Sequence, residues 1–123
     1  MTHSSLILIA HGSKDPRWRI PFEKLEKQLK ADLGDEGVYL SYMEFADPTV
    51  MDAARKAVNG GASKVTFLPL FMAGGAHLAQ DVPPMVEAVK KEFPKLKVDL
   101  LGPIGEHPKF EKLIYQIALE AAE

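Results

Sequence analysis

The sequence predicts an α/β domain built on a mainly parallel sheet, on three observations. Four apolar, partly β-branched runs alternate with four segments of helical period, the signature of repeated βα units. The first and third runs are nearly continuous in apolar residues, as in strands covered on both faces. The composition, 46% hydrophobic and 26% charged, is that of an ordinary globular chain, and 123 residues suit one hydrophobic core.

The strands are expected at Leu6–Ala10, Val38–Phe45, Lys64–Leu70 and Lys97–Leu101. Between the first two, Phe22, Leu25, Leu29 and Leu33 form one apolar stripe, and Gly34 follows as a stop. Asp47-Pro48 offers an N-cap and a first-turn proline for a second helix. That helix buries Val50, Met51, Ala54, Ala57 and Val58 before Gly60-Gly61 closes it. Asp81 is placed to cap a third helix through Val82, Met85, Val86, Val89 and Phe93, which Pro94 ends. A fourth opens near Pro108 and is expected to bury Phe110, Leu113, Ile114, Ile117 and Ala121. No linker, repeat or low-complexity stretch interrupts the series, so residues 1–123 read as one domain.

Several function classes fall away on composition. The net charge of −2 leaves no basic excess for nucleic acid. Lys24, Lys27 and Lys30 alternate with Glu23 and Glu26, which reads as a solvated helix face. No apolar stretch approaches the roughly 20 residues that span a bilayer. The first five residues lack the basic start of a signal peptide, so a cytoplasmic protein is expected. With no cysteine there is neither a disulfide framework nor thiolate chemistry.

In an open parallel sheet, ligands bind beyond the carboxyl ends of the strands, where the strand order switches. The first strand ends in His11-Gly12-Ser13, the second nears its end at Glu44, and the third runs on toward Gly74-Gly75-Ala76-His77. Gly12 lacks a Cβ and so permits close approach of another group to the backbone. His11, Glu44 and His77 therefore converge on one edge. Two imidazoles and a carboxylate suit a borderline divalent ion such as Co²⁺, Ni²⁺, Fe²⁺ or Zn²⁺. Three ligands leave coordination positions open, which favours transient metal handling or catalysis over a structural site. His3, near the terminus, and His107, before Pro108, read as structural residues, the latter in a turn or cap.

The segments Leu6–Ser13, Met43–Pro48, Leu68–Phe71 and Gly75–Pro83 together resemble the short CbiX-type sirohydrochlorin chelatases, in the same order along the chain. The spacing fits too: 33 residues separate His11 from Glu44, and 33 separate Glu44 from His77. The resemblance implies a three-layer αβα half-unit with a four-stranded parallel sheet in the order 2-1-3-4. It implies insertion of a divalent metal into sirohydrochlorin, Co²⁺ foremost on the route to cobalamin, with Fe²⁺ and Ni²⁺ inserted by related members. The family's metal ligands fall on His11, Glu44 and His77. No organic cofactor is expected; the ion is a substrate.

In that reading His11 and His77 present the metal to the macrocycle, with one or both also receiving its pyrrole protons, as imidazole can near neutral pH. Glu44 adds a third ligand and offsets the ion's charge. The basic residues Lys14, Arg17 and Arg19 are placed to pair with the substrate's carboxylates, and Trp18 to lie against the ring. Ser13 and Gly75 complete the expected substrate contacts, and Leu70, Phe71, Met72 and Leu78 offer apolar packing. Longer chelatases look like two such lobes joined, so a homodimer with a cleft between copies is expected. A histidine phosphatase would want an arginine just before its nucleophilic histidine, where this chain has Ala10. A non-enzymatic metal or tetrapyrrole carrier would use the same ligands without speeding insertion.

Overall fold

The computed structural model describes residues 3–72 and 77–123, with the side chains of 77–79 excepted. Strand β1 spans Ser4–Ala10, β2 Val38–Tyr42, β3 Lys64–Pro69 and β4 Lys97–Leu100. Helix α1 spans Ile20–Leu33, α2 Val50–Asn59, α3 His77–Glu92 and α4 Pro108–Ala122. All strand pairs are parallel, and the order is β2-β1-β3-β4, as expected. In the central register Leu8 faces Leu40 on one side and Leu68 on the other.

The two-residue period of β1 divides the core. Ile7 and Ile9 join Val65 and Phe67 beneath Ala53, Ala54 and Ala57 of α2 and Val82, Val86 and Val89 of α3. Leu8 and Ala10 join Val38, Leu40 and Tyr42 on the other side, where Phe22, Leu25 and Leu29 of α1 pack. That both faces of β1 are buried explains its unbroken apolar run.

Local chemistry sets most boundaries. Gly34, at φ +86°, ends α1, and its N–H donates to the Lys30 carbonyl at 2.9 Å. Glu26 is more than a solvated charge: its carboxylate accepts from the Leu40 N–H at 2.8 Å, so α1 satisfies part of the β2 backbone.

Four expectations need correction. The cap of α2 is Thr49, not Asp47: its hydroxyl accepts from the Asp52 N–H, and the Asp52 carboxylate accepts from the Thr49 N–H. Asp81 is not the cap of α3, because His77–Gln80 are already helical and place the helix start upstream. Strand β2 stops at Tyr42, so Glu44 lies two residues beyond it in a bend; Phe45 turns the chain there at φ +63°. The apolar residues of α4 are not buried: Leu113, Ile114 and Ile117 are 52%, 44% and 56% exposed, because α4 rests on the 3-10 turn Ile104–Glu106 rather than against the sheet.

Candidate functional site

Strand order places the ends of β1 and β3 side by side while their connections leave in opposite directions, which is the switch point where α/β sheets bind ligands. His11 leaves β1 there, and Phe71 lies just past β3. Their rings meet edge-on with centroids 4.7 Å apart. Around them opens a cleft of about 650 Å³, within the range of small-molecule sites. His11, Gly12, Phe71, Trp18, Arg19 and Tyr42 are among the residues that line it.

Gly12 joins the first two expected ligands. At φ +92° it takes a conformation that side chains rarely adopt, and a Cβ placed on it would overlap the Glu44 carbonyl. The Glu44 N–H in turn donates to the His11 carbonyl at 3.2 Å, and the Met43 N–H to Ala10 at 2.9 Å. The bend after β2 is therefore strapped to the end of β1, with both His11 and Glu44 exposed. The close approach that the glycine foretold comes from this chain's own backbone.

His77 is the first residue of α3, which begins beyond the same sheet edge. Its side chain, together with Gly75, lies outside the described residues. Among the described residues alone, no group of three potential ligands comes together.

The expected carboxylate-binding residues differ in what they do locally. Arg17 is held by Asp15 in a two-pronged ion pair, with Nη2 to Oδ2 at 2.6 Å, and it stands out in solvent. That guanidinium keeps the Asp15 carboxyl below the usual carboxylate range. Lys14 sets its ammonium 5.3 Å from the centre of the Phe45 ring. The Ser13 hydroxyl accepts from the Asp15 N–H at 3.1 Å and so shapes the turn at the cleft's edge. Trp18 is 70% exposed and lines the cleft as an open apolar surface.

Two further residues stand out. Arg19 lines the cleft, and its Nε is buried without a hydrogen-bond partner among the described residues. The Tyr42 hydroxyl is in the same condition; burial first, and then the charge of Glu23, holds its phenol above the ordinary value, with Arg19 working against them. Arg19 was within reach of sequence reasoning, as part of the basic cluster. Tyr42 was not, because a tyrosine in an apolar strand reads as core.

Comparison with known proteins decides the family. The CbiX family model matches residues 5–121. The chain belongs to the CbiX family. Among its CbiX-like relatives, the sirohydrochlorin cobaltochelatase of Methanopyrus kandleri is 36% identical over 67% of this chain and 57% of its own length. That of Sulfolobus acidocaldarius is 32% identical over 96% of this chain and 89% of its own. The chloroplastic sirohydrochlorin ferrochelatase of Arabidopsis thaliana is 30% identical over 83% of this chain, matching 45% of that protein. The chain thus spans about half the length of two of these three relatives. A CbiX protein from Marinobacter aquaeolei VT8 superposes with a TM-score of 0.82 at 34% identity, covering 97% of this chain and 94% of that one. The cobalt complex of the Bacillus subtilis chelatase SirB shares the fold, with a TM-score of 0.81 at 21% identity, over 98% of this chain and 51% of that one.

Proposed function

We propose that this CbiX-family chain is a sirohydrochlorin chelatase that inserts Co²⁺ into the macrocycle. The observation that carries the reading is the position of His11: exposed at the switch point, strapped to the Glu44 segment and opening on a cleft. In the reaction two pyrrole N–H bonds break, bonds from the ring nitrogens to the ion form, and two protons leave. His11 and His77 hold the incoming ion, and an imidazole freed as the ion passes to the ring nitrogens can accept one of those protons. Glu44 offsets the ion's charge as the third ligand. The ion is bound by protein atoms only in passing, which suits a set of three ligands with open positions.

The macrocycle lies across the cleft against Trp18 and the apolar residues Leu70 and Met72. Its carboxylates call for cations with free donors. Arg19, with a buried Nε lacking a partner among the described residues, meets that need better than Arg17, which Asp15 already occupies. Ser13 lines the same opening, Lys14 follows it in the chain, and Gly75, outside the described residues, completes the proposed set. The cleft of one lobe leaves a flat tetrapyrrole open on one side, so the working form is a homodimer. A cytoplasmic location belongs to the same reading; among the described residues no helix is long and apolar enough to cross a membrane.

Insertion of Fe²⁺ is the second reading, favoured by the likeness to the Arabidopsis ferrochelatase. An anaerobic absorbance assay with sirohydrochlorin and Co²⁺, Fe²⁺ or Ni²⁺ in turn tests both. The proposal expects the largest acceleration over the uncatalysed rate with Co²⁺. A larger one with Fe²⁺ transfers the assignment to iron. Tight binding of ion and macrocycle without acceleration makes the protein a carrier and overturns the enzyme.

A further inference from the structure

Two polar groups in the lining of the cleft lack partners, and both are donors. Tyr42 is the last residue of β2, in register with Ala10 of β1, which precedes His11. Its side chain joins Val38 and Leu40 in the core on the side of α1, and the residue is only 2% exposed. A tyrosine so deeply placed normally finds an acceptor for its O–H. This one finds none among the described residues. Arg19 stands at the N-cap of α1, makes no side-chain capping bond there, and keeps its Nε buried and unpartnered.

The two groups belong to one place. Both line the cleft together with His11 and Gly12. A Cβ on Gly12 would lie 3.3 Å from the Tyr42 Cβ, so the base of the tyrosine side chain sits against the His11–Gly12 corner. The charges close enough to act on the phenol are those of Arg19, Glu23 and Glu26. Glu26 is engaged by the Leu40 N–H and by Lys30, whose Nζ lies 3.6 Å away. No carboxylate of the described residues forms an ion pair with Arg19.

The chemistry of the pair selects its ligand. A guanidinium N–H can only donate, and a phenol with no donor directed at it donates too. Two neighbouring donors call for two acceptor oxygens, and a cation among them favours an anion. The first turn of α1 adds to this preference. It begins directly after Arg19, its Phe22 lines the cleft, and the positive end of the helix dipole lies there. A planar carboxylate meets all three conditions.

We infer that Tyr42 and Arg19 together anchor one carboxylate arm of the macrocycle, the phenol O–H and the guanidinium Nε–H donating to its oxygens beside His11. Arg19 is long and half-buried, and a change of its rotamer admits the carboxylate between the two donors. The free energy lost in leaving two buried donors unpaired is regained when substrate binds, so the free protein is less stable than its packing allows. The inference rests on the chelatase reading for the identity of the ligand. It deepens that reading by adding a residue that charge alone does not reveal.

Tyr42→Phe separates binding from structure, because it removes the hydroxyl and keeps the ring. Metal-free sirohydrochlorin is titrated anaerobically by absorbance into the wild type, Tyr42→Phe, Arg19→Ala and the double variant, with denaturant unfolding of each. Tyr42→Phe is expected to raise the Kd about tenfold while its unfolding midpoint equals or exceeds that of the wild type. The double variant is expected to bind only a few-fold more weakly than Arg19→Ala, since the two donors share one carboxylate. A Kd for Tyr42→Phe within about twofold of the wild type overturns the inference, all the more if its midpoint falls, which makes the hydroxyl structural. Losses that multiply in full in the double variant overturn the shared carboxylate. These titrations need no turnover, so binding that follows this pattern without metal insertion would uphold the anchor and sink the enzyme. A wild type that does not bind sirohydrochlorin overturns both.

Discussion

Gly12 shows how much one residue fixes. Its missing side chain lets the Glu44 carbonyl close onto the end of β1, which holds the backbones of two proposed metal ligands together. Gly12→Ala must push that carbonyl away and accept a positive φ, so we expect a loss of about 2–3 kcal/mol in denaturant unfolding. An unfolding midpoint equal to wild type would show that the strap gives way freely. The sequence announced a close approach at this glycine, but its partner comes from 32 residues further along the chain and became visible only in the fold. Arg17 and Arg19 teach the reverse lesson. Both belong to one basic cluster, and only their neighbours separate them: Asp15, two residues away, occupies Arg17. We expect Arg19→Ala to raise the KM for sirohydrochlorin about tenfold with a smaller effect on kcat, and Arg17→Ala to leave KM within about twofold. Equal effects of the two substitutions would return Arg17 to the site.

Element boundaries followed local chemistry wherever that chemistry was unambiguous. Gly34 ended α1 as read, and His107 took the capping role its place before Pro108 suggested. For α2 the Thr49-x-x-Asp52 pattern outcompeted Asp47-Pro48, because a reciprocal capping box satisfies two backbone donors at once. Thr49→Ala is expected to cost about 1 kcal/mol of stability by chemical denaturation. A change below a few tenths would mean that the cap is replaced by solvent. Accepting the Thr49 N–H holds the Asp52 carboxyl below its ordinary value, so the ionised form favours the folded state. Its contribution is present above the unfolded carboxylate range and is lost as pH falls through the lowered folded value. The gap in unfolding midpoint between wild type and Asp52→Asn is therefore expected to narrow on acidification. A gap that stays constant down to pH 2 would remove the carboxylate from the cap. Helix α4 was legible as a helix but not in its surroundings, since an apolar stripe calls for a partner without saying whose.

At the scale of the molecule, alternation of apolar runs and helical segments revealed a parallel sheet, and the proposed site lies at the switch point of that sheet. Strand order and the convergence of His11 with Glu44 depended on long-range pairing, which composition and period alone do not encode; the likeness to the CbiX chelatases supplied the first. As a chelatase, the whole protein must accelerate entry of a metal into a tetrapyrrole at the edge bearing His11, Glu44 and His77. Anaerobic insertion of Co²⁺ into sirohydrochlorin, followed by absorbance in the wild type and in His11→Ala, Glu44→Ala and His77→Ala, tests this most directly. We predict that the wild type exceeds the uncatalysed rate and that each histidine variant falls by about 10²-fold or more, as loss of a proton acceptor and ligand requires. Full activity in both histidine variants would contradict the account.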